Sequence, residues 1–171
     1  MIRLITKQEV QKYKQISNSV NNDKFNQIVD EVQFEDIRPL LGDALYNDII
    51  TKVEANSTDY DLLLDGGIYT VDGITYTNYG LRAVLVHYWY AKYAMFGDVI
   101  DNPFGMTTKM NLSDSKPIDY STKKTFYSAN RNTAFQYWRS VESFLIRNKV
   151  SLFNQNCSTN RSGKIRISKI G

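Results

Sequence analysis

The stretch YGLRAVLVHYWYAKYAMF, from Tyr79 to Phe96, constrains what this chain can fold into more than any other. It is long enough for about five helical turns, close to 27 Å at 1.5 Å per residue. No proline interrupts it, and Gly97 follows where a helix stop is expected. Wound as a helix, it gathers Leu81, Val84, Leu85, Tyr88, Ala91 and Met95 on one face, the usual pattern of a core face. Ala83, Val86, Tyr90 and Ala94 occupy a second side, and Arg82, Trp89, Tyr93 and Phe96 a third. A helix apolar nearly all round calls for burial nearly all round. Two arrangements provide it. Either the remainder of the chain surrounds the helix, or its Trp89 flank packs against another subunit, because large exposed aromatic patches are rare on monomers.

The rest of the chain supplies helices to pack on it. Thr6 and Glu9 have the spacing of a capping box and predict a short helix to about Ser17. Phe25, Ile28, Val29 and Val32 give the apolar spacing of a second helix, from about Asp23 to Ile37, that Pro39 closes or kinks near Arg38. Asp43 is placed to cap a third helix, ALYNDIITKV, and Leu62 to Leu64 a single turn. Ile68 to Val71, Asp72-Gly73, and Ile74 to Thr77 read as a β-hairpin with a type I′ turn. After the central helix, Asp98 to Ser121 predicts a long irregular loop in which Thr107 to Leu112 has strand character. The last helix, about Thr122 to Lys149, carries a stripe of Ala134, Trp138, Val141 and Leu145 and is expected to pack antiparallel on the central helix. The expected fold is mainly α: a bundle of about four to five helices with one small β-hairpin, a long inter-helix loop and a C-terminal strand arm. Residues 1–153 form one domain and 154–171 the arm.

Catalytic chemistry finds little purchase. His87 is the sole histidine, which removes any two-histidine metal site and weakens Ser-His or Cys-His catalysis. Cys157 is the sole cysteine, so no intrachain disulfide forms. Phosphate-loop and dinucleotide fingerprints are absent. Asp59, Asp61 and Asp65 lack the spacing of a calcium loop. Asp98 and Asp101 with His87 are thin support for an enzyme. No cofactor, metal or catalytic residue is expected. The N-terminus has no apolar signal region, and Arg82, His87 and Lys92 interrupt the longest apolar run, which argues against a membrane span.

What the composition does offer is surface. Aromatic residues reach 13%, including twelve tyrosines, and Tyr and Trp suit interfaces that are apolar yet partly wet. The net charge of +3 is too small to argue for nucleic acid by itself. In the arm, however, Arg161, Lys164, Arg166 and Lys169 face no acid. They have three readings: phosphate contacts in a nucleic-acid-binding module, a solvated edge strand, or a strand that joins a neighbouring subunit's sheet. The third is preferred, because Ile165, Ile167 and Ile170 give the segment an apolar face with no obvious home in a helical domain.

The order of these elements carries a resemblance. Helices lead to Ile37-Arg38-Pro39-Leu40-Leu41-Gly42-Asp43-Ala44-Leu45-Tyr46, then to a tyrosine-rich helix, a loop with Gly105-Met106-Thr107-Thr108-Lys109, and a last long helix with Tyr137-Trp138. From about Asp23 to Leu152 this resembles the head–tail connector, or portal adaptor, proteins of tailed bacteriophages, and is most similar to those of crAss-like phages and other phages of Bacteroides-type hosts. The resemblance implies a virion protein, made in the host cytoplasm, that forms a ring, commonly of twelve copies. Such a ring joins the portal protein to the next neck or tail component, with DNA passing through its lumen without being tightly bound and no membrane involved. The expected interface residues are Arg82, Trp89, Tyr93 and Phe96 on the central helix, Phe104, Met106, Thr107 and Thr108 in the loop, and Ile165, Ile167 and Ile170 in the arm.

Overall fold

A computed structural model describes residues 2–97, 99–102, 105–108 and 118–153. It opens with a non-helical N-terminal segment whose Leu4 and Ile5 are buried. Helix α1, Lys7–Tyr13, starts at Thr6 with the full capping box: Thr6 Oγ1 accepts from the Glu9 backbone, and the Glu9 carboxylate accepts from the Thr6 N–H. Helix α2, Asn22–Val32, is capped by Asn21, whose Oδ1 accepts from Asp23 and Lys24.

The second helix does not stop at Pro39. It runs on through a single wide turn of π-helix, Gln33–Ile37, into α3, Arg38–Leu41, with Pro39 in its first turn. Proline brings no N–H and its ring would strike the carbonyl four residues back in a regular α-helix. Here Arg38 donates to the Gln33 carbonyl, five residues back, and the wider turn takes the proline without ending the helix. The extra residue also turns Gln33, Asp36 and Ile37 inward. Gln33 fastens the N-terminal segment: its Oε1 accepts from Leu4 N at 2.7 Å, and its Nε2 donates to the Ile2 carbonyl at 3.0 Å.

Gly42, at φ 79°, makes the corner into α4, Asp43–Glu54. Asp43 therefore stands at the first helical position instead of the cap and pairs with Arg38 at 2.6 Å. After the single turn α5, Asp61–Leu64, come β1, Gly67–Val71, and β2, Ile74–Asn78, paired antiparallel from Gly67↔Asn78 to Val71↔Ile74. Asp72 and Gly73 both have positive φ, as a type I′ turn requires.

Helix α6, Leu81–Phe96, is the central element, and α7, Tyr120–Arg147, lies antiparallel along it. Its direction is fixed by three contacts: Ser140 with the Thr77 carbonyl just before α6, the Tyr137 ring with Tyr79, and Arg131 with the Tyr88 ring. The predicted stripe of Ala134, Trp138, Val141 and Leu145 is buried. One core cluster includes side chains from the N-terminal segment, α2, α4, α6 and α7, with Phe153 closing over Trp138.

The chain is mainly helical, as expected, but the segment after α6 is not wholly irregular. It contains a second hairpin, β3 Val99–Asn102 with β4 Gly105–Thr108, registered from Val99↔Thr108 to Asn102↔Gly105. The arm, residues 154–171, lies outside the described residues. Among the described residues, no helix is long and apolar enough to cross a membrane.

Candidate assembly surface

The central helix is clothed by its own chain, which corrects the expectation for its Trp89 flank. Trp89 has no exposed surface. Its ring meets Phe25 at 4.9 Å, and its Nε1 donates to the Phe25 carbonyl at 3.2 Å. The physical reason is α2, whose Phe25, Ile28, Val29 and Val32 stripe is wide enough to cover that flank. Tyr93 stacks on Trp89 at 4.9 Å with the rings 11° from parallel. Arg82 is also engaged internally. It donates to the Leu4 carbonyl at 3.0 Å, pairs with Glu9 at 3.1 Å, and binds the Asp65 carboxylate. Of the four residues assigned to this flank, Phe96 alone stays largely in the open, at 49%.

Other assigned residues fall differently. Met106, Thr107 and Thr108 lie on β4, opposite Asp101, Ile100 and Val99. Phe104, Ile165, Ile167 and Ile170, and the basic Arg161, Lys164, Arg166 and Lys169, lie outside the described residues, as does Asp98.

Polar groups beneath the surface are arranged in pairs that cement α6 to its neighbours. Lys92 reaches Glu35 at 2.6 Å and Glu31 at 3.3 Å. Burial works to lower its ammonium pKa, but the hydrogen bonds to those two carboxylates outweigh it and the net shift is upward. Arg131 of α7 pairs with the buried Asp36 of the π-turn at 2.8 Å, and its guanidinium lies over the rings of Tyr88 and Tyr127. His87 is buried between Tyr137, stacked at 4.9 Å, and the edge of Tyr13. Its Nδ1 has no hydrogen-bond partner among the described residues. Burial first, and the nearby Lys14 charge second, push its pKa down to about 4, so it is neutral in the fold. Among the described residues, no cluster of His, Cys, Asp or Glu has metal-binding geometry.

The surface that does stand uncovered was missed in the sequence. The first ten residues of α7, 120–129, span about 15 Å and bury no side chain. Tyr120 is 69% exposed and Phe126 47%, with Ile118 exposed just before the helix. Further along, Phe135 and Ile146 are also exposed, on a side of α7 away from the core stripe. The signal in the sequence is Phe126 and Phe135 standing off the Ala134–Leu145 stripe.

No characterised protein and no solved structure matches the chain. A protein family described as a family of unknown function, DUF6712, matches residues 37–163, from the π-turn through α7 into the arm. The match spans about three quarters of the sequence, and the chain belongs to that family.

Proposed function

We propose that this protein is a structural subunit of a tailed-phage neck. Copies of it form a ring under the portal and join the portal to the tail components. The observation that carries the reading is the first third of α7, 120–129, which buries no side chain fully. A ten-residue stretch of helix that buries none of its side chains draws little stability from the fold, and exposed Phe126 and Tyr120 add apolar surface to it. A contact from the next copy, or from the portal, would cover it. The second support is the order of elements around the Leu40-Leu41-Gly42-Asp43 corner and the paired long helices, which resembles that of connector proteins.

The arrangement suits a ring because contacts of this kind are head-to-tail: one surface of each subunit meets a different surface of the next, and closure follows from the rotation between them. Light scattering of the purified protein, alone and mixed with the portal protein of the same phage, tests the reading. The expected result is a ring-sized species in at least the mixed sample. Phe126→Asp is expected to weaken that assembly by about tenfold or more while shifting single-chain stability by no more than about 0.5 kcal/mol. A protein that stays monomeric and never joins the portal overturns the proposal, and so does a Phe126→Asp variant that assembles as well as the parent.

A further inference from the structure

Among the described residues, the β1–β2 hairpin has one covered edge and one open edge. Val71 and Ile74 flank a two-residue turn, so they form a hydrogen-bonded pair, and pairing alternates from there. Tyr69↔Tyr76 and Gly67↔Asn78 bond to each other, whereas the N–H and C=O groups of Ile68, Thr70, Thr75 and Thr77 point outward. On the β2 side, α7 occupies the edge: Ser140 Oγ donates to the outward Thr77 carbonyl at 3.2 Å. On the β1 side, Ile68 and Thr70 present their backbone groups to nothing in the described fold. Ile68 is 72% exposed, among the most uncovered apolar side chains described.

This edge lacks the usual protection. Natural sheets blunt a free edge with a charged side chain, a proline or a bulge. Gly67-Ile68-Tyr69-Thr70-Val71 has no charge and no proline, and its register is regular. It is an edge kept fit for pairing.

We infer that the open edge of β1 takes the arm segment Lys164–Ile170 of a neighbouring copy as a third strand. The segment alternates as a strand does, Lys164-Ile165-Arg166-Ile167-Ser168, and puts Ile165 and Ile167 on one face, able to cover Ile68. Charge matches as well. Lys164, Arg166 and Lys169 have no acid among them, while Asp65 stands just before β1 and Asp72 just after it. Asp65 shares the single guanidinium of Arg82 with Glu9, which leaves that end of the strand with excess negative charge. A neighbouring copy is the donor in this reading because a ring sets the arm of one subunit against the next, while the last turns of a chain's own α7, where Phe144 and Arg147 meet Tyr69, cover a face of the hairpin and leave its β1 edge open. Main-chain bonds supply such a contact's strength and alternate side chains its selectivity. The inference rests on the ring proposed above and names one of its joints.

Hydrogen exchange in a mixing experiment tests it. An isotope-labelled chain ending at Gly163 is followed at residues 67–71, alone and with a concentrated excess of unlabelled full-length protein. Exchange at the Ile68 and Thr70 amides is expected to be fast alone and at least about tenfold slower in the mixture. Thr70→Pro in the labelled chain removes an outward N–H without touching the ladder to β2, and is expected to abolish the slowing. The inference is overturned if the truncated chain is already protected alone, if the excess full-length protein gives no protection, or if Thr70→Pro keeps it. Protection of full-length protein at dilutions where it is monomeric would assign the edge to the chain's own arm and overturn donation by a neighbour. Rings that form without any protection of β1 would remove this joint and leave the ring reading standing.

Discussion

His87 shows how a single side chain ties this fold to pH. Its neutral ring is stacked on Tyr137 with Nδ1 unpartnered, and its folded pKa is about 4 against an ordinary value of about 6.5. A histidine whose pKa is depressed on folding binds more protons when unfolded, so the stability it contributes is complete above pH 6.5 and drains away as pH falls towards 4. That loss amounts to about 3 kcal/mol at most. Urea midpoints at pH 7 and pH 4.5 should therefore diverge further in the parent than in His87→Gln, the carboxylates contributing equally to both; equal divergence in the two proteins would show the ring to be a bystander. The residue was legible as a helix-flank histidine, but its depth was not, because burial here comes from Tyr13 and Tyr137, far away in sequence.

At the scale of elements, the base of the hairpin depends on two glycines back to back. A Cβ on Gly80 would lie 2.6 Å from the Leu64 carbonyl and 2.7 Å from the Gly66 nitrogen, and a Cβ on Gly66 would lie 2.5 Å from the Asn78 carbonyl. Both have positive φ as well. Asn78 locks the same crossing by donating to the Leu62 carbonyl at 2.7 Å and accepting from Gly80 N at 3.2 Å. Gly80→Ala is expected to cost about 3 kcal/mol, measurable by denaturant unfolding, because backbone atoms on both sides cannot move aside. The hairpin itself was plain from Asp72-Gly73, whose turn demands those residues. Its neighbour β3–β4 was not, since Asn102 to Gly105 carries Pro103 and lacks the two-residue turn signature. The π-turn was invisible for a related reason. Pro39 reads as a point where the helix closes or kinks, and nothing in the spacing announces the relaxed Gln33 turn that lets the helix pass it.

For the whole molecule, the decisive balance is between greasy surface and the chain available to hide it. The apolar character of α6 predicts burial correctly; what sequence periodicity leaves open is who provides it. Trp89 and Phe126 now stand for the two answers. Trp89→Ala is expected to cost a single chain about 3 to 5 kcal/mol in denaturant unfolding, as deletion of a fully buried ring does. Phe126→Asp is expected to act on assembly instead. A scan in which both substitutions chiefly lowered single-chain stability would mean that α7 is as self-contained as α6.

The wide turn at Gln33–Ile37 also stores a spare residue. Excising one residue there would restore ordinary helical winding and, at about 100° per residue, rotate everything upstream by more than a quarter turn. Phe25 and Val29 would swing away from Trp89, and the amide of Gln33 would release the N-terminal segment it holds. A deletion that looks harmless on paper, one amino acid from a helical stretch with two acids and a glutamine, would thus unlatch the front of the protein.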